Sequence, residues 1–181
     1  MAASGVLLAL TGCGGDEPVA EPERPLPTAS TSTVPAVGRG VVVVGPDRLD
    51  FEVRGCTDEP EANDRPQAHR VFLMTGDGIV DDRPFTVETV RFESIGDGSD
   101  ARTVTETVRI TTGTGDAVVG IEAERTGIEG TWLDLRDPEA DGALIVEEGD
   151  VVRAAGTFGP DGSAGGEANV LEGRLVARCP A

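Results

Sequence analysis

The stretch RTVTETVRITT, residues 102–112, alternates between two kinds of side chain. Val104, Val108 and Ile110 fall on one face of an extended chain, and the other face carries Thr103, Thr105, Thr107, Arg109 and Thr111. Because successive side chains of a β-strand point to opposite faces, this pattern predicts a strand with one buried side. One-sided burial is typical of antiparallel sheets. Glu106 falls on the apolar face, so it lies either at an open edge or in a polar pocket, and both readings stay open.

Short β-branched segments bounded by turn residues continue on both sides of this stretch, and no helical period is present from Arg39 onward. They predict ten strands, near residues 40–45, 48–55, 69–75, 85–94, 102–112, 117–125, 131–136, 143–147, 150–158 and 170–178. The connectors GDG, GDGSD, TGTGD, DPEADG, EEGD and GPDGSAGG are typical of hairpins and loops. The spacing predicts an all-β domain, either an antiparallel β-sandwich or an open barrel of about eight to ten strands.

The large apolar side chains of these segments are assigned to the core rather than to a ligand platform. They are Phe51, Phe72, Phe92, Phe158, Trp132, Leu133 and Leu135. In the last strand, Leu171, Leu175 and Ala177 share a face with Cys179. The apolar positions are barely sufficient to fill an ordinary core, so a large cavity is not expected.

Composition excludes several classes of partner. The chain has 181 residues, with 33 acidic and 15 basic side chains and a net charge of −18. Such a surface repels nucleic acid and anionic lipid headgroups. Aromatic residues make up only 3 % of the chain, which argues against stacking platforms.

The N-terminus carries the features of a lipoprotein signal peptide, predicted over residues 1–12. A short apolar run, too short for a transmembrane helix, ends in a lipobox-like sequence made of Leu10, Thr11, Gly12 and Cys13. The resemblance to a bacterial lipobox implies cleavage between Gly12 and Cys13 and lipidation of the Cys13 thiol with a diacylglycerol that carries fatty acids such as palmitate. No basic residue precedes Arg24, which departs from the pattern and leaves open whether Met1 is the true start. The alternative is a buried N-terminal strand with an ordinary thiol.

A disordered tether is predicted over residues 13–38, followed by the all-β domain over residues 39–181. The tether is rich in Pro, Glu, Ser and Thr and cannot bury enough apolar area to fold. Pro-rich chain extends about 3.1 Å per residue, so residues 14–37 would reach at most about 70 Å from the membrane.

Two cysteines remain if Cys13 carries lipid, namely Cys56 and Cys179. An even remainder in an exported chain favours a disulfide between them, and two free thiols are the alternative. A zinc site is not indicated, because two distant cysteines and one histidine do not make four ligands.

The sequence predicts no catalytic residue. His69 is the only histidine, and no Gly-x-Ser-x-Gly nucleophile motif is present. Several carboxylates invite comparison with the acid pairs of glycosidases, but chance proximity among so many acids explains them; they are Glu122, Glu124, Glu129, Asp134 and Glu139. The protein is therefore expected not to be an enzyme and to need no cofactor.

The acidic loops contain calcium candidates, namely Asp77, Asp81, Asp97 and Asp100, with further acids at Asp82, Asp137, Glu139 and Asp141. Calcium takes six to eight oxygen ligands, and none of these loops has the spacing of an EF-hand. Aspartate and glycine also form turns and keep a surface soluble, which suffices to explain the loops. No metal site is predicted.

The layout resembles the LpqH-type lipoprotein antigens of mycobacteria and other actinobacteria. The features on which this resemblance rests are the lipobox, the Pro/Ser/Thr-rich tether, an early cysteine, and the segments GDVVRAAGTFGPDG (149–162) and EGRLVARCPA (172–181). The resemblance implies a non-enzymatic lipoprotein of the cell envelope, lipid-anchored on the extracytoplasmic face of the cell membrane.

Three functions fit these features. The first is a lipid-anchored display or interaction module with a cell-wall or protein partner. The alternative is a carrier for a lipid or other apolar ligand, which needs a cavity of several hundred Å³. The third is a calcium- or sugar-dependent adhesion domain.

Overall fold

The structure is a computed structural model that describes residues 33–60, 70–95, 101–113, 119–160 and 170–181, all within the compact unit Ser32–Ala181. These residues form strands and no helix, which confirms the all-β prediction. The strands are β1 (Arg39–Val44), β2 (Asp47–Pro60), β3 (Arg70–Val80), β4 (Arg83–Ile95), β5 (Arg102–Thr112), β6 (Val119–Ile128), β7 (Thr131–Leu133), β8 (Ile145–Glu148), β9 (Val151–Pro160) and β10 (Leu171–Arg178). A search of the same residues for a helix long and apolar enough to span a membrane finds none.

Eight of the ten strands close into an antiparallel barrel, so the chain adopts the barrel rather than the sandwich. Strands β1 to β6 pair in sequence order, and β9 and β10 continue the sheet back to β1. The barrel closes where β6 meets β9, through the pairs Ile121–Pro160 and Glu122–Gly159.

The boundary between β6 and β9, here called the seam, is bridged differently at its two ends. At one end the two strands pair directly. Further along, the free edge of β9 pairs with β8, and the free edge of β6 pairs with β7. Residues 131–148, here called the strap, carry both of these outer strands. The strap therefore completes the wall where the barrel strands separate.

Tight turns join several neighbouring strands. Asp81 and Asp82 between β3 and β4 have φ values of 49° and 59°, and Glu129 and Gly130 between β6 and β7 have 50° and 86°. Positive φ at both central residues matches the type I′ turn, whose twist suits a two-residue hairpin. Asp81 is thus a turn residue.

The segment GDG, residues 76–78, lies inside β3 and not in a connector, which corrects the sequence prediction. A Cβ on Gly76 would lie 2.5 Å from the ring of Phe51, and one on Gly78 would lie 2.6 Å from the ring of Phe85. The missing side chains leave room for aromatic rings from the neighbouring strands. Glycine here serves close packing, a use that local sequence does not distinguish from a turn.

The core lies inside the barrel and contains Val42, Val44, Phe51, Val53, Phe72, Met74, Phe85, Val87, Val108, Ile110, Ala123, Leu144, Ile145, Val152, Ala154, Phe158, Leu175 and Ala177. The predictions for Phe51, Phe72 and Phe158 are therefore confirmed. Leu175 and Ala177 are buried as predicted, whereas Leu171 is 43 % exposed.

Three of the predicted core residues are exposed instead. Phe92 is 36 % exposed because it lies on the outer face of β4. Phe85 and Val87 lie on the opposite, inward face of the same strand. Leu133 is 56 % exposed because it ends β7, which is only three residues long and lies outside the barrel, and Leu135, beyond that strand, is 72 % exposed. Trp132 is half-buried, with its ring against Gly127 of β6.

The predicted disulfide between Cys56 and Cys179 is confirmed, with the two Cα atoms 5.8 Å apart. It joins β2 to the residue that follows β10. The register of β2 against β3 shifts between Val53 and Gly55, so Phe51 and Cys56 both pack on the core despite their odd spacing.

Candidate functional site

A pocket opens at the end of the barrel where β1, β3 and β5 finish and β2, β6 and β10 begin. Its volume is about 430 Å³, and we call it the mouth pocket. Most of its lining is apolar, and the lining residues are Val44, Leu49, Val80, Ile110, Val119, Ile121, Leu171, Asp47, Arg48, Asp81 and Thr112. Six strands contribute because antiparallel neighbours alternate in direction and bring starts and ends to one mouth.

The apolar lining follows from the inward positions of the strands. Ile110 continues the buried face of β5 and is 2 % exposed, so it belongs to the floor. Leu49, Val80 and Ile121 are partly buried and pack against the core. Val119 and Leu171, at 67 % and 43 % exposed, form the water-facing rim. The pocket thus lies above a packed core and presents apolar surface to solvent.

The polar residues of the rim are mainly acidic. Asp47 and Asp81 are exposed and line the pocket. Arg48 also lines it, but its guanidinium donates to Asp50 from Nε at 3.2 Å and from Nη2 at 2.8 Å. The Thr112 hydroxyl donates to the carbonyl oxygen of Val119 at 3.4 Å.

The interior toward the other end of the barrel is charged. Its groups are Arg91, Glu93, Glu106, Arg125, Asp134 and Glu147, and we call this region the ionic end. Glu106 on β5 pairs in register with Arg91 on β4 and with Arg125 on β6. Glu106 is fully buried, which decides between the two readings of the sequence in favour of a polar pocket.

The Glu106 carboxylate holds the strap. Its Oε2 accepts hydrogen bonds from the backbone N–H groups of Leu144 at 2.6 Å and Ile145 at 3.0 Å. Its Oε1 lies 3.5 Å from Nε of Arg91. Burial raises the pKa of the Glu106 carboxyl, although the two backbone donors and the charges of Arg91 and Arg125 oppose this rise.

Arg91 is shared among three carboxylates. Its Nε lies 3.1 Å from Oε1 of Glu93, and its Nη1 lies 3.7 Å from Oε1 of Glu147 on the strap. Glu93 also forms an ion pair with Arg102. Arg91 therefore links two barrel strands to the strap.

Arg125 binds the strap at Asp134 and Gly142. Its Nε and Nη2 each lie 3.3 Å from Oδ2 of Asp134, and its Nη1 donates to the carbonyl oxygen of Gly142 at 2.9 Å. Asp134 Oδ1 accepts from the backbone N–H groups of Arg136 at 2.9 Å and Asp137 at 3.1 Å. The strap is thus bound through both side chains and backbone.

The carboxylates considered for glycoside chemistry serve other contacts or face solvent. Glu122 binds Arg136 at 3.3 Å and Arg109 at 3.0 Å, and Asp134 binds Arg125. The remaining members, Glu124, Glu129 and Glu139, are exposed.

The structure describes two of the four calcium candidates. Asp77 accepts from Nη2 of Arg54 at 2.9 Å, and the hydrogen bond and charge of Arg54 lower its pKa. Asp81 lies in a turn at the pocket rim, and Asp97 and Asp100 lie outside the described residues. Over the described part of the chain, no group of three or more His, Cys, Asp or Glu side chains is arranged to hold a metal ion.

Other predicted positions also lie outside the described residues, namely the lipobox with Cys13, most of the tether, and His69. The sequence reasoning missed the mouth pocket and the inward Arg91 and Arg125. The available signal was alternation, since Arg91 continues the face of Val87 and Thr89 on β4. This alternation identifies the charged cluster only when the pairing of β4, β5 and β6 is known.

Comparison of the chain with protein families, curated proteins and solved structures finds no match. The resemblance to LpqH-type lipoproteins stays a prediction.

Proposed function

We propose that this protein is an envelope-anchored carrier that binds a small apolar ligand in the mouth pocket. The observation that carries the proposal is a pocket of about 430 Å³ with a mainly apolar lining at an open end of the barrel. Small-molecule sites typically measure about 300–1,000 Å³ and combine an apolar lining with a few polar groups. An eight-stranded barrel also has the width to hold one small ligand.

The rim supports binding because it leaves apolar area in water. Val119 and Leu171 are substantially exposed, although each belongs to a strand whose other residues reach the core. A ligand that covers such area gains about 25 cal/mol for each Å² removed from water. The packed core below the pocket means that the fold does not need the ligand to fill its interior.

The proposal includes anchoring through the Cys13 lipid and tether on the extracytoplasmic face of the membrane. Strand β1 runs toward the mouth pocket. Arg39 begins β1 at the end away from the mouth, and Val44 ends it at the pocket. The chain thus enters the barrel at the end opposite the mouth pocket.

The display module remains the other prediction from the sequence, and the pocket favours the carrier over it. An experiment separates the two. A chain beginning at residue 13, with Cys13→Ser to prevent acylation, is titrated with the neutral fluorescent probe 1-N-phenylnaphthylamine. The carrier predicts saturable binding of one probe per chain. Native mass spectrometry after expression in an actinobacterial host tests for a retained natural ligand.

A matched pair of substitutions places the binding. Leu171→Trp fills the pocket at an exposed position and should abolish probe binding. Leu133→Trp makes the same change at an exposed position on β7, away from the pocket, and should leave binding intact. Absence of binding by the parent chain, or equal binding by both variants, would contradict the proposal.

A further inference from the structure

We infer that the mouth pocket selects apolar ligands whose polar end is uncharged or cationic and discriminates against fatty-acid anions. This inference rests on the proposed function and names the ligand class. It is carried by the arrangement of charges around the pocket.

A ligand with a carboxylate would need a cationic partner at the rim. Among the described residues that line the pocket, Arg48 is the only base, and two of its nitrogens already donate to Asp50. Asp47 and Asp81 repel an anion. Bringing an ionised carboxylate into a partly desolvated site without a partner is unfavourable.

An uncharged or cationic end meets suitable groups at the same rim. The Asp47 and Asp81 carboxylates accept hydrogen bonds from a ligand hydroxyl or amide, and they attract a positive charge. The Thr112 hydroxyl, another polar group of the lining, already donates to the carbonyl oxygen of Val119 at 3.4 Å. The rim therefore favours ligands whose polar end donates hydrogen bonds over ligands whose polar end only accepts them.

The charge of the whole chain acts in the same direction. A net charge of −18 disfavours the approach of anions and favours that of cations. This long-range effect is screened beyond about 10 Å at 0.1 M salt, whereas charges at the rim act at shorter range. Selection that persists at high salt therefore reports on the rim.

The test uses three ligands with one chain length, namely dodecanol, dodecanoate and dodecyltrimethylammonium. Each displaces 1-N-phenylnaphthylamine from the unacylated chain, below its micelle concentration, at low and at high salt, with the dodecanoate ionised. We expect dodecanoate to bind about tenfold or more weakly than dodecanol at both salt concentrations. Dodecyltrimethylammonium should bind at least as well as dodecanol.

Variants assign the effect to the rim. Asp47→Asn with Asp81→Asn should bring dodecanoate close to dodecanol. The control, Glu129→Gln with Glu139→Gln, removes the same number of exposed charges away from the pocket and should keep the difference. Equal changes in both double variants would overturn the assignment to the rim.

The outcomes separate this inference from the proposed function. Dodecanoate binding that equals or exceeds dodecanol binding would overturn the inference, while the pocket would remain a ligand site. Absence of binding by the fluorescent probe and by all three ligands would overturn the proposed function itself.

Discussion

The two ends of one barrel have opposite interiors. At the mouth, inward positions of β5 and β6 carry Ile110 and Ile121, and β6 pairs directly with β9. Toward the ionic end, the same faces carry Glu106 and Arg125, and the strap bridges the seam. The barrel wall is thus completed by charged groups and backbone donors in one region. The other region is left with apolar surface that its own side chains do not cover.

The difference separates stability from binding. Buried charges add little when both partners are present, but removing one partner leaves the other uncompensated at high cost. Exposed rim residues contribute little to folding and remain available to a ligand. We therefore expect substitutions at the ionic end to change the free energy of unfolding, and substitutions at the mouth to change affinity.

The largest expected effect is at the ionic end. Glu106→Leu removes the acceptor of two backbone N–H groups and a charge partner of Arg91. We expect the free energy of unfolding to fall by about 3–5 kcal/mol. Urea denaturation measures it, with Glu124→Leu at an exposed position of β6 as the control. A loss below about 1 kcal/mol would contradict the role of Glu106 in holding the strap.

The next prediction concerns pH. The folded-state pKa of Glu106 is raised above its ordinary value of 4.5, so its contribution to stability is greatest below that value and is lost as pH rises through the raised pKa. Glu106→Gln keeps an oxygen acceptor for Leu144 and Ile145 but does not titrate. The stability of the parent chain relative to this variant should fall as pH rises, by up to about 1.4 kcal/mol per pH unit.

Urea denaturation at a series of pH values from about 4 to 8 checks the sign of this effect. Glu124→Gln, at an exposed site on β6, serves as the reference. A parent chain that becomes more stable relative to Glu106→Gln as pH rises would contradict the cause assigned to the shift.

Much of the fold could be predicted from the sequence because alternation is a local property. All ten predicted strands correspond to strands of the structure, including β5 with its buried Val104, Val108 and Ile110. The disulfide followed from counting cysteines. The errors at Phe92, Leu133 and Leu135 arose where a strand's inward face, or its place outside the barrel, depends on distant partners.

The candidate site could not be predicted in the same way. The mouth pocket is a space between the ends of six strands, so no single segment encodes it. The inward Glu106 was visible, but its partners at Leu144 and Ile145 are 38 and 39 residues away. Closure likewise depends on contacts of Ile121 and Glu122 with a strand nearly forty residues later. Pairing, rather than propensity, determines these features.

A pair of substitutions on β6 compares the mouth with the other end of the barrel through a smaller expected change in probe affinity. Val119→Ser at the mouth and Ile128→Ser at the other end of the strand both alter exposed residues. Each should change the free energy of unfolding by about 0.5 kcal/mol or less. Only Val119→Ser should weaken probe binding, by about fivefold, because about 1 kcal/mol of apolar contact is lost. Equal affinities in the two variants would remove Val119 from the site.

The smallest expected effect tests whether the rim lacks a usable cation. Asp50→Asn releases Arg48 from its carboxylate partner at the edge of the pocket. Because exposed ion pairs contribute about 0.2–1 kcal/mol, dodecanoate affinity should rise by up to about fivefold, while dodecanol affinity stays constant. Asp77→Asn is the matched control, since it removes the same charge beside Arg54, which keeps Glu52 at 3.5 Å and does not line the pocket. A rise in both variants would assign the effect to net charge, whereas a rise with Asp50→Asn alone would assign it to Arg48.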